Sequence, residues 1–356
     1  MTHRIERLQR ELAPQNASAF LVTKLSNIRW LCGFSGTAGT LLVTPQRAVF
    51  LTDFRYRTQA DAEVKDAETV IYRASVWCTL EEDSALQPGE RILVEAAALT
   101  IEQQEQLHKS LPNAELIPTS LIVEKMMAVK EAGEIELHRK AAAITDKVFR
   151  NVLPLLKPGV RERDIAAEIT YLHKSFGADC DSFEPIVASG WRSALPHGRA
   201  SDKRIRKNEL VTLDLGCSYK GYASDLTRTV TVGKAEPKAR ELYRLVLQAQ
   251  TAAIKAAKPG MTNLELDGIA RDIITDAGYG AQFGHGLGHG LGLETHAWPK
   301  IGPTAEAMTL QENMVFTIEP GIYLEGYGGV RIEDDVVLTA EGAQPLNKAT
   351  KKLLEL

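Results

Sequence analysis

The chain is 356 residues long, 44% hydrophobic and 25% charged, with a formal net charge of −4. That length exceeds what one hydrophobic core usually serves, so two domains are expected, and the composition is that of an ordinary globular protein. It excludes a nucleic-acid binder, which would carry a basic excess or Lys/Arg runs, and a membrane protein, which would need spans of roughly 20 apolar residues.

The N-terminal MTHRIERLQRELAPQ has a polar, helical pattern without the apolar centre of a signal peptide. AFLVT (19–23) reads as a strand, and TLLVT (40–44) with AVFLTD (48–53) reads as a hairpin about Pro45-Gln46-Arg47. ETVIY (68–72) and RILVEA (91–96) continue the strand series, with a helical stretch near 101–110. Residues 1–122 are therefore expected to form an α/β domain with no catalytic cluster of its own. GFSGTAG (33–39) meets neither G-x-S-x-G nor G-x-G-x-x-G spacing and reads as a tight turn.

From Val123 to Leu356 the texture changes. One long helical pattern, with Ile135, Leu137, Ala141, Ile144 and Val148 at helical spacing, runs to a stop at Lys157-Pro158-Gly159. A second helix, about 162–176, ends in Gly177. The order then recurs: a helix at 238–257, a stop at Lys258-Pro259-Gly260, and a helix at 263–276 ending near Gly278. The two stops lie 101 residues apart, which suggests that residues 123–356 form a domain of two related halves with a site between them. Cys32, Cys78, Cys180 and Cys217 lack CxxC spacing and are expected to be buried thiols of a reducing cytoplasm.

Two pairs of acids stand out in the apolar strands of this second domain. ELVTLDLGCSYKGYASDLTRTVTVG (209–233) reads as two strands around a Tyr-Lys-Gly turn. A two-residue loop at Tyr219-Lys220 would set Asp214 opposite Asp225, on one face and about 5 Å apart. Opposed carboxylates repel unless protonated or bridged by cations; the plainer alternative is one solvated aspartate and one turn cap. Glu319, in MVFTIEPGIYLE, and Glu333, in GGVRIEDDVVL, would likewise face each other across a three-residue loop centred on Gly326. Glutamates are rarely buried unpaired, and a salt bridge to Arg331 would satisfy only one of them. Between these hairpins, GHGLGHGLGLETHAWP (284–299) carries His285, His289 and His296. Its glycines are expected to let the backbone approach a metal or a substrate closely. There is no H-E-x-x-H, so a thermolysin-like zinc site is excluded, and His3, His108, His138 and His173 read as surface or packing residues. Four carboxylates and one imidazole, Asp214, Asp225, His289, Glu319 and Glu333, form a set able to hold two divalent cations side by side, as hydrolases use them.

Taken together, LDLG, SDLTRT, GHGLGLETH, TIEPGIY and GGVRIED resemble the metallopeptidases of the pita-bread fold, peptidase family M24. ALPHG (194–198) and an N-terminal domain with GFSG and TDFRY narrow the resemblance to the Xaa-Pro branch, the aminopeptidases P and prolidases. It covers the whole chain and implies an α/β N-terminal domain followed by an α+β pita-bread catalytic domain with pseudo-twofold halves. It also implies that the five residues bind two divalent ions, with Asp225 and Glu333 contributing to both. His197, His285, His296 and Arg331 would contact the substrate. Ala297 after His296 departs from the acidic residue often found there and touches only the pocket rim.

The activity implied is hydrolysis of the bond preceding proline in proline-containing peptides. Glu319 would shuttle the proton of the attacking water, His296 would support the oxyanion, and His197 or His285 would hold the carbonyl or assist the leaving nitrogen. Mn²⁺ suits such an oxygen-rich set best, with Co²⁺ or Zn²⁺ as substitutes. The short first domain inclines this reading toward an aminopeptidase P-like enzyme, with a dipeptidase (prolidase) as the alternative. A methionine aminopeptidase would generally lack the first domain, and a non-catalytic pita-bread binding protein would usually have lost ligands. A homodimer is the default assembly.

Overall fold

The computed structural model describes residues 2–82 and 89–356. It separates into two compact units, Met1–Met127 and Ala128–Leu356. The division falls beyond residue 122 because the helical pattern starting there is two helices, not one: Ile122–Ala128 and Ala132–Val152. Between them Lys130 leaves helical pairing and donates its backbone N–H to Asn313.

In the first unit six strands form one mixed sheet. Ala19–Val22 pairs antiparallel with Thr40–Val43 and parallel with Arg91–Glu95, and the expected hairpin joins Val43 to Ala48. Glu68–Ile71 and Glu115–Thr119 are the two edges. The sequence reading missed the second edge strand, ELIPT, since Pro118 argues against a central strand; at an edge its missing N–H costs no ladder bond. The helix Ile101–Ser110 starts at a capping box, in which Thr100 accepts from the Gln103 backbone and Gln103 from that of Thr100.

The second unit shows its duplication in its hydrogen bonds. Helix Ala132–Val152, a turn at Gly159 and helix Glu162–Ser175 are matched by helix Pro237–Ala256, a turn at Gly260 and helix Asn263–Asp276. Gly159 donates to the Ile205 carbonyl and Ile205 back to Val160; Gly260 donates to Leu310 and Leu310 back to Met261. Each helix pair covers its own core. Val148, Phe149, Ile165 and Ile169 line one, and Leu242, Val246, Leu266 and Ile274 the other, in the apolar stripe of an amphipathic helix. No helix among the described residues is long and apolar enough to cross a membrane.

Of the cysteines, Cys32 and Cys217 are buried as expected, whereas Cys78 and Cys180 are exposed; all four are free thiols. One buried ion pair braces the strands that carry the acids. Arg228 is 1% exposed and meets Asp334 at 2.6 Å, while its other N–H groups donate to the carbonyls of Thr227, Glu333, Ala349 and Thr350. Arg228→Met takes one of two cations from the buried Asp334, which keeps Lys351 and Gln250, and takes the Arg228 donor from four carbonyls, so it is expected to cost about 3 kcal/mol. Urea denaturation would measure it, and a loss under about 1 kcal/mol, as exposed pairs give, would contradict this.

Candidate metal centre

Strands Glu209–Leu215 and Leu226–Val232 pair antiparallel and bring Asp214 opposite Thr227. Their extension, Cys217–Tyr219 with Tyr222–Ala223, turns at Lys220-Gly221, whose φ values are 50° and 87°. A two-residue hairpin of this hand needs positive φ at both loop positions, which glycine supplies and Tyr219 does not. The loop is therefore one residue later than the Tyr219-Lys220 expected, and the direct opposition of Asp214 and Asp225 is corrected. Moving the loop by one changes the register by two, which preserves the face, so Asp225 falls two positions from the partner of Asp214.

The second hairpin has the expected register. Leu324 pairs with Gly328 around a three-residue loop centred on Gly326, whose φ is 76°. Farther out, Ile318 pairs with Asp334 in the adjoining strands Val315–Ile318 and Asp334–Thr339. Glu319 and Glu333 thus stand opposite each other where one pair of strands hands over to the next.

His289 lies in the short strand Gly288–Gly290, between Ala297–Ile301 and Val315–Ile318. A Cβ on Gly288 would come 2.0 Å from the Thr317 carbonyl oxygen, and one on Gly290 2.3 Å from that of Trp298. These two glycines admit neighbouring strands, while Gly284, Gly286 and Gly288 also line the cavity beside the acids.

One ligand atom from each of Asp225, His289 and Glu333 falls in a group all within 4.8 Å of one another. Glu319 Oε1 is 3.4 Å and Asp225 Oδ2 3.8 Å from His289 Nε2. His289 Nδ1 lies 3.1 Å from the Gly290 carbonyl, which only accepts, so Nδ1 carries the proton and Nε2 turns a lone pair toward two carboxylates. Asp214 is outside this tightest group. Its Oδ2 accepts from Arg331 Nη2 at 2.6 Å, so the plainer alternative of a salt bridge between Arg331 and one of the glutamates is not the pairing observed. Arg331 Nε continues to the Thr227 hydroxyl at 3.1 Å, and Thr227 donates to Glu333 Oε2 at 2.5 Å. The outer oxygens of Asp214 and Glu333 are thereby tied into one chain, whereas Asp214 Oδ1, Asp225 Oδ1 and Glu333 Oε1 are buried without a hydrogen-bond partner.

Electrostatics agree with the geometry. Burial, then the neighbouring carboxylates, pushes Asp225 and Glu333 well above the usual carboxylate range. Burial raises Glu319 to about 8 against the pull of Arg331, and burial followed by His296 lowers His289 to about 4. A buried cluster of acceptors with unshared lone pairs fits divalent cations, which would supply the charge these groups lack.

The five residues line a cavity of about 880 Å³, shared with His197, His285, His296 and Arg331. His197 and His296 are exposed within it, and the His296 ring centroid lies 4.3 Å from that of His289 with the planes tilted by 46°. His285 lines it too, but both nitrogens are engaged: Nδ1 donates to Gly286 O at 2.8 Å and Nε2 accepts the Tyr323 hydroxyl at 2.9 Å. The sequence reading passed over several residues that shape the site. Tyr323 joins His285 to Arg331, Thr317 bridges the His289 backbone and Glu319 Oε1, and Asp335 holds the Asp225 N–H through both its oxygens. The signal for the threonines was their spacing, since Thr227 and Thr317 each lie two positions from an acid and so on the same strand face.

Residues 136–340 match the model of metallopeptidase family M24, and residues 4–129 match the creatinase/prolidase N-terminal domain. The Xaa-Pro dipeptidase of Pyrococcus horikoshii is 38% identical over 355 residues, covering 99% of each chain. A solved Xaa-Pro dipeptidase from Bacillus anthracis superposes with a TM-score of 0.96 at 40% identity, over 99% of each chain. The solved X-Pro aminopeptidase of Thermotoga maritima superposes with a TM-score of 0.89 at 35% identity, over 99% of this chain and 100% of that one.

Proposed function

The chain belongs to metallopeptidase family M24, and from that premise we propose that it hydrolyses Xaa-Pro dipeptides at a two-cation site held by Asp214, Asp225, His289, Glu319 and Glu333. The observation that carries this reading is the set of three buried carboxylate oxygens without partners beside the unprotonated nitrogen of His289. Two divalent cations in such a site supply Lewis acidity and bring the pKa of water toward 7. Mn²⁺ is the ion proposed, because four carboxylates and one imidazole are hard, oxygen-rich donors; Co²⁺ or Zn²⁺ would substitute.

The chain's own groups then have distinct tasks. Glu319 Oε1 already accepts from Thr317, so Oε2 is the atom left to take a proton from the attacking water. His296 and His197, exposed in the cavity, donate to the carbonyl oxygen as charge develops on it and steady the prolyl side. His285 acts through Tyr323, holding it against Arg331. A homodimer in a reducing cytoplasm completes the reading, supported by the prevalence of twofold assemblies and by the free thiols.

Both relatives named as Xaa-Pro dipeptidases are more similar than the named aminopeptidase, which favours the dipeptidase reading over the aminopeptidase P-like one that the sequence suggested. The cavity offers a reason. Arg199 is paired with Glu184, Arg271 with Asp267, and Arg331 with Asp214. Lys300 is the fourth cationic side chain among the described lining residues, exposed and paired in register with His289. It is placed to meet the C-terminal carboxylate that a dipeptide brings beside its scissile bond. Manganese-loaded enzyme is expected to cleave Xaa-Pro faster than Xaa-Pro-Yaa. Lys300→Met should raise KM for the dipeptide about 10-fold, the worth of one charge-assisted hydrogen bond, and leave that for the tripeptide little changed. Equal or faster cleavage of Xaa-Pro-Yaa would return the reading to an aminopeptidase.

A further inference from the structure

We propose that Thr227 is a positioning residue for the metal centre, whose hydroxyl stands between Arg331 and Glu333 and keeps the two from forming a direct ion pair. The inference rests on the reading of Glu333 as a metal ligand.

The polarity of the contact follows from its donors. Arg331 Nε can only donate, so the Thr227 oxygen accepts from it at 3.1 Å, and the single hydroxyl hydrogen goes to Glu333 Oε2 at 2.5 Å. Glu333 Oε1 is then the oxygen that remains, buried and without a partner, in the carboxylate whose group with Asp225 and His289 spans at most 4.8 Å. Thr227 itself has little freedom. It is fully buried, sits opposite Asp214 in a strand, and is β-branched, which restricts its rotamer.

The alternative arrangement is close at hand. Arg331 and Glu333 are two positions apart in the chain, and the Nε–H that Thr227 now receives is a donor a carboxylate would take directly. Without the hydroxyl, Glu333 is drawn to Arg331 and its inner oxygen turns away from Asp225 and His289. One hydroxyl therefore converts an Arg–Glu pair into a carboxylate aimed at a cation, while Arg331 Nη2 does the equivalent for Asp214.

The test is calorimetric titration of the metal-free full-length protein with Mn²⁺, comparing wild type, Thr227→Val and Thr227→Ser. Valine keeps the shape and loses the hydroxyl; serine keeps the hydroxyl. Loss of an outer partner of a ligand lowers metal affinity about 10–100-fold. That weakening is expected for Thr227→Val at one or both ions, with the metal-free melting temperature unchanged and affinity restored in Thr227→Ser. Should the valine protein fail to fold, Thr227→Ala removes the same hydroxyl and carries the same expectation. Wild-type affinity in the variant lacking the hydroxyl, or equal weakening in serine, would overturn the proposal. A wild-type protein that binds no Mn²⁺ would instead overturn the metal site itself, and the proposal with it.

Discussion

Asp225→Asn is expected to fold and to lose more than about 100-fold of its manganese-dependent hydrolysis of Xaa-Pro. The lower bound follows because even an outer partner of a ligand is worth about 10–100-fold, and Asp225 is proposed as a ligand to both cations. Folding should survive because Asp225 is anchored through its backbone N–H, which donates to Asp335 at 3.0 and 3.1 Å. Its side chain has one oxygen without a partner and the other 3.8 Å from His289 Nε2. An amide there places a neutral group, and in one orientation an NH₂ donor, where a cation needs a charged acceptor. Bound manganese measured by mass spectrometry and circular dichroism of the same sample separate lost metal from lost fold. Full activity in this variant would end the two-cation reading.

Much of this site was legible in the sequence because strands have a period of two. The parity of residue spacing predicts which acids share a face, and parity survives a register error of two. The loop centred on Gly326 was read correctly because a glycine there has few competitors for the positive φ. At Lys220-Gly221 the error came from assigning Tyr219 to the loop, although its aromatic ring belongs to the strand. The helices of both halves were legible from their apolar stripes and Lys-Pro-Gly stops, whereas Glu115–Thr119, with a proline and little alternation, was not.

What local pattern could not supply was the partner of each polar group. Arg331 lies two residues from Glu333, so a salt bridge between them was the plainer alternative; only the fold brings Asp214, 117 residues away in the chain, to its Nη2. The engagement of both His285 nitrogens by Gly286 and Tyr323 is likewise tertiary information. The proposed preference for a dipeptide rests on which cations around the cavity are already paired, and those pairs join distant or differently spaced segments, such as Arg199 with Glu184.

Above about pH 6.5, where the buried histidines that the fold holds low (His138 at about 3, His285 and His289 at about 4) no longer titrate in either state, the metal-free protein is expected to lose stability as pH rises to about 8, and the manganese-loaded protein is not. Glu319 ordinarily titrates near 4.5 and is raised by burial to about 8 in the fold; Asp225 and Glu333 move in the same direction, also led by burial. Through that window the unfolded chain has released a proton that the folded one keeps, so the unfolded state binds fewer protons and stability falls with pH. For these carboxylates the penalty is absent below about pH 4.5 and complete above about pH 8. At about 1.4 kcal/mol per pH unit of displacement, crowded carboxylates raised in this way together cost roughly several kcal/mol, a large share of the roughly 5–15 kcal/mol that holds a domain together. A bound cation takes the place of those protons, so its affinity rises with pH and offsets the loss. Thermal melts of chelator-treated and manganese-loaded protein between about pH 6.5 and pH 8 should therefore diverge, with Glu319→Gln making the metal-free curve shallower because its amide does not titrate while Asp225 and Glu333 still do. A metal-free melting temperature that holds steady or climbs across this range would mean that these carboxylates are not crowded together in the folded protein, and the basis for placing two cations among them would be gone.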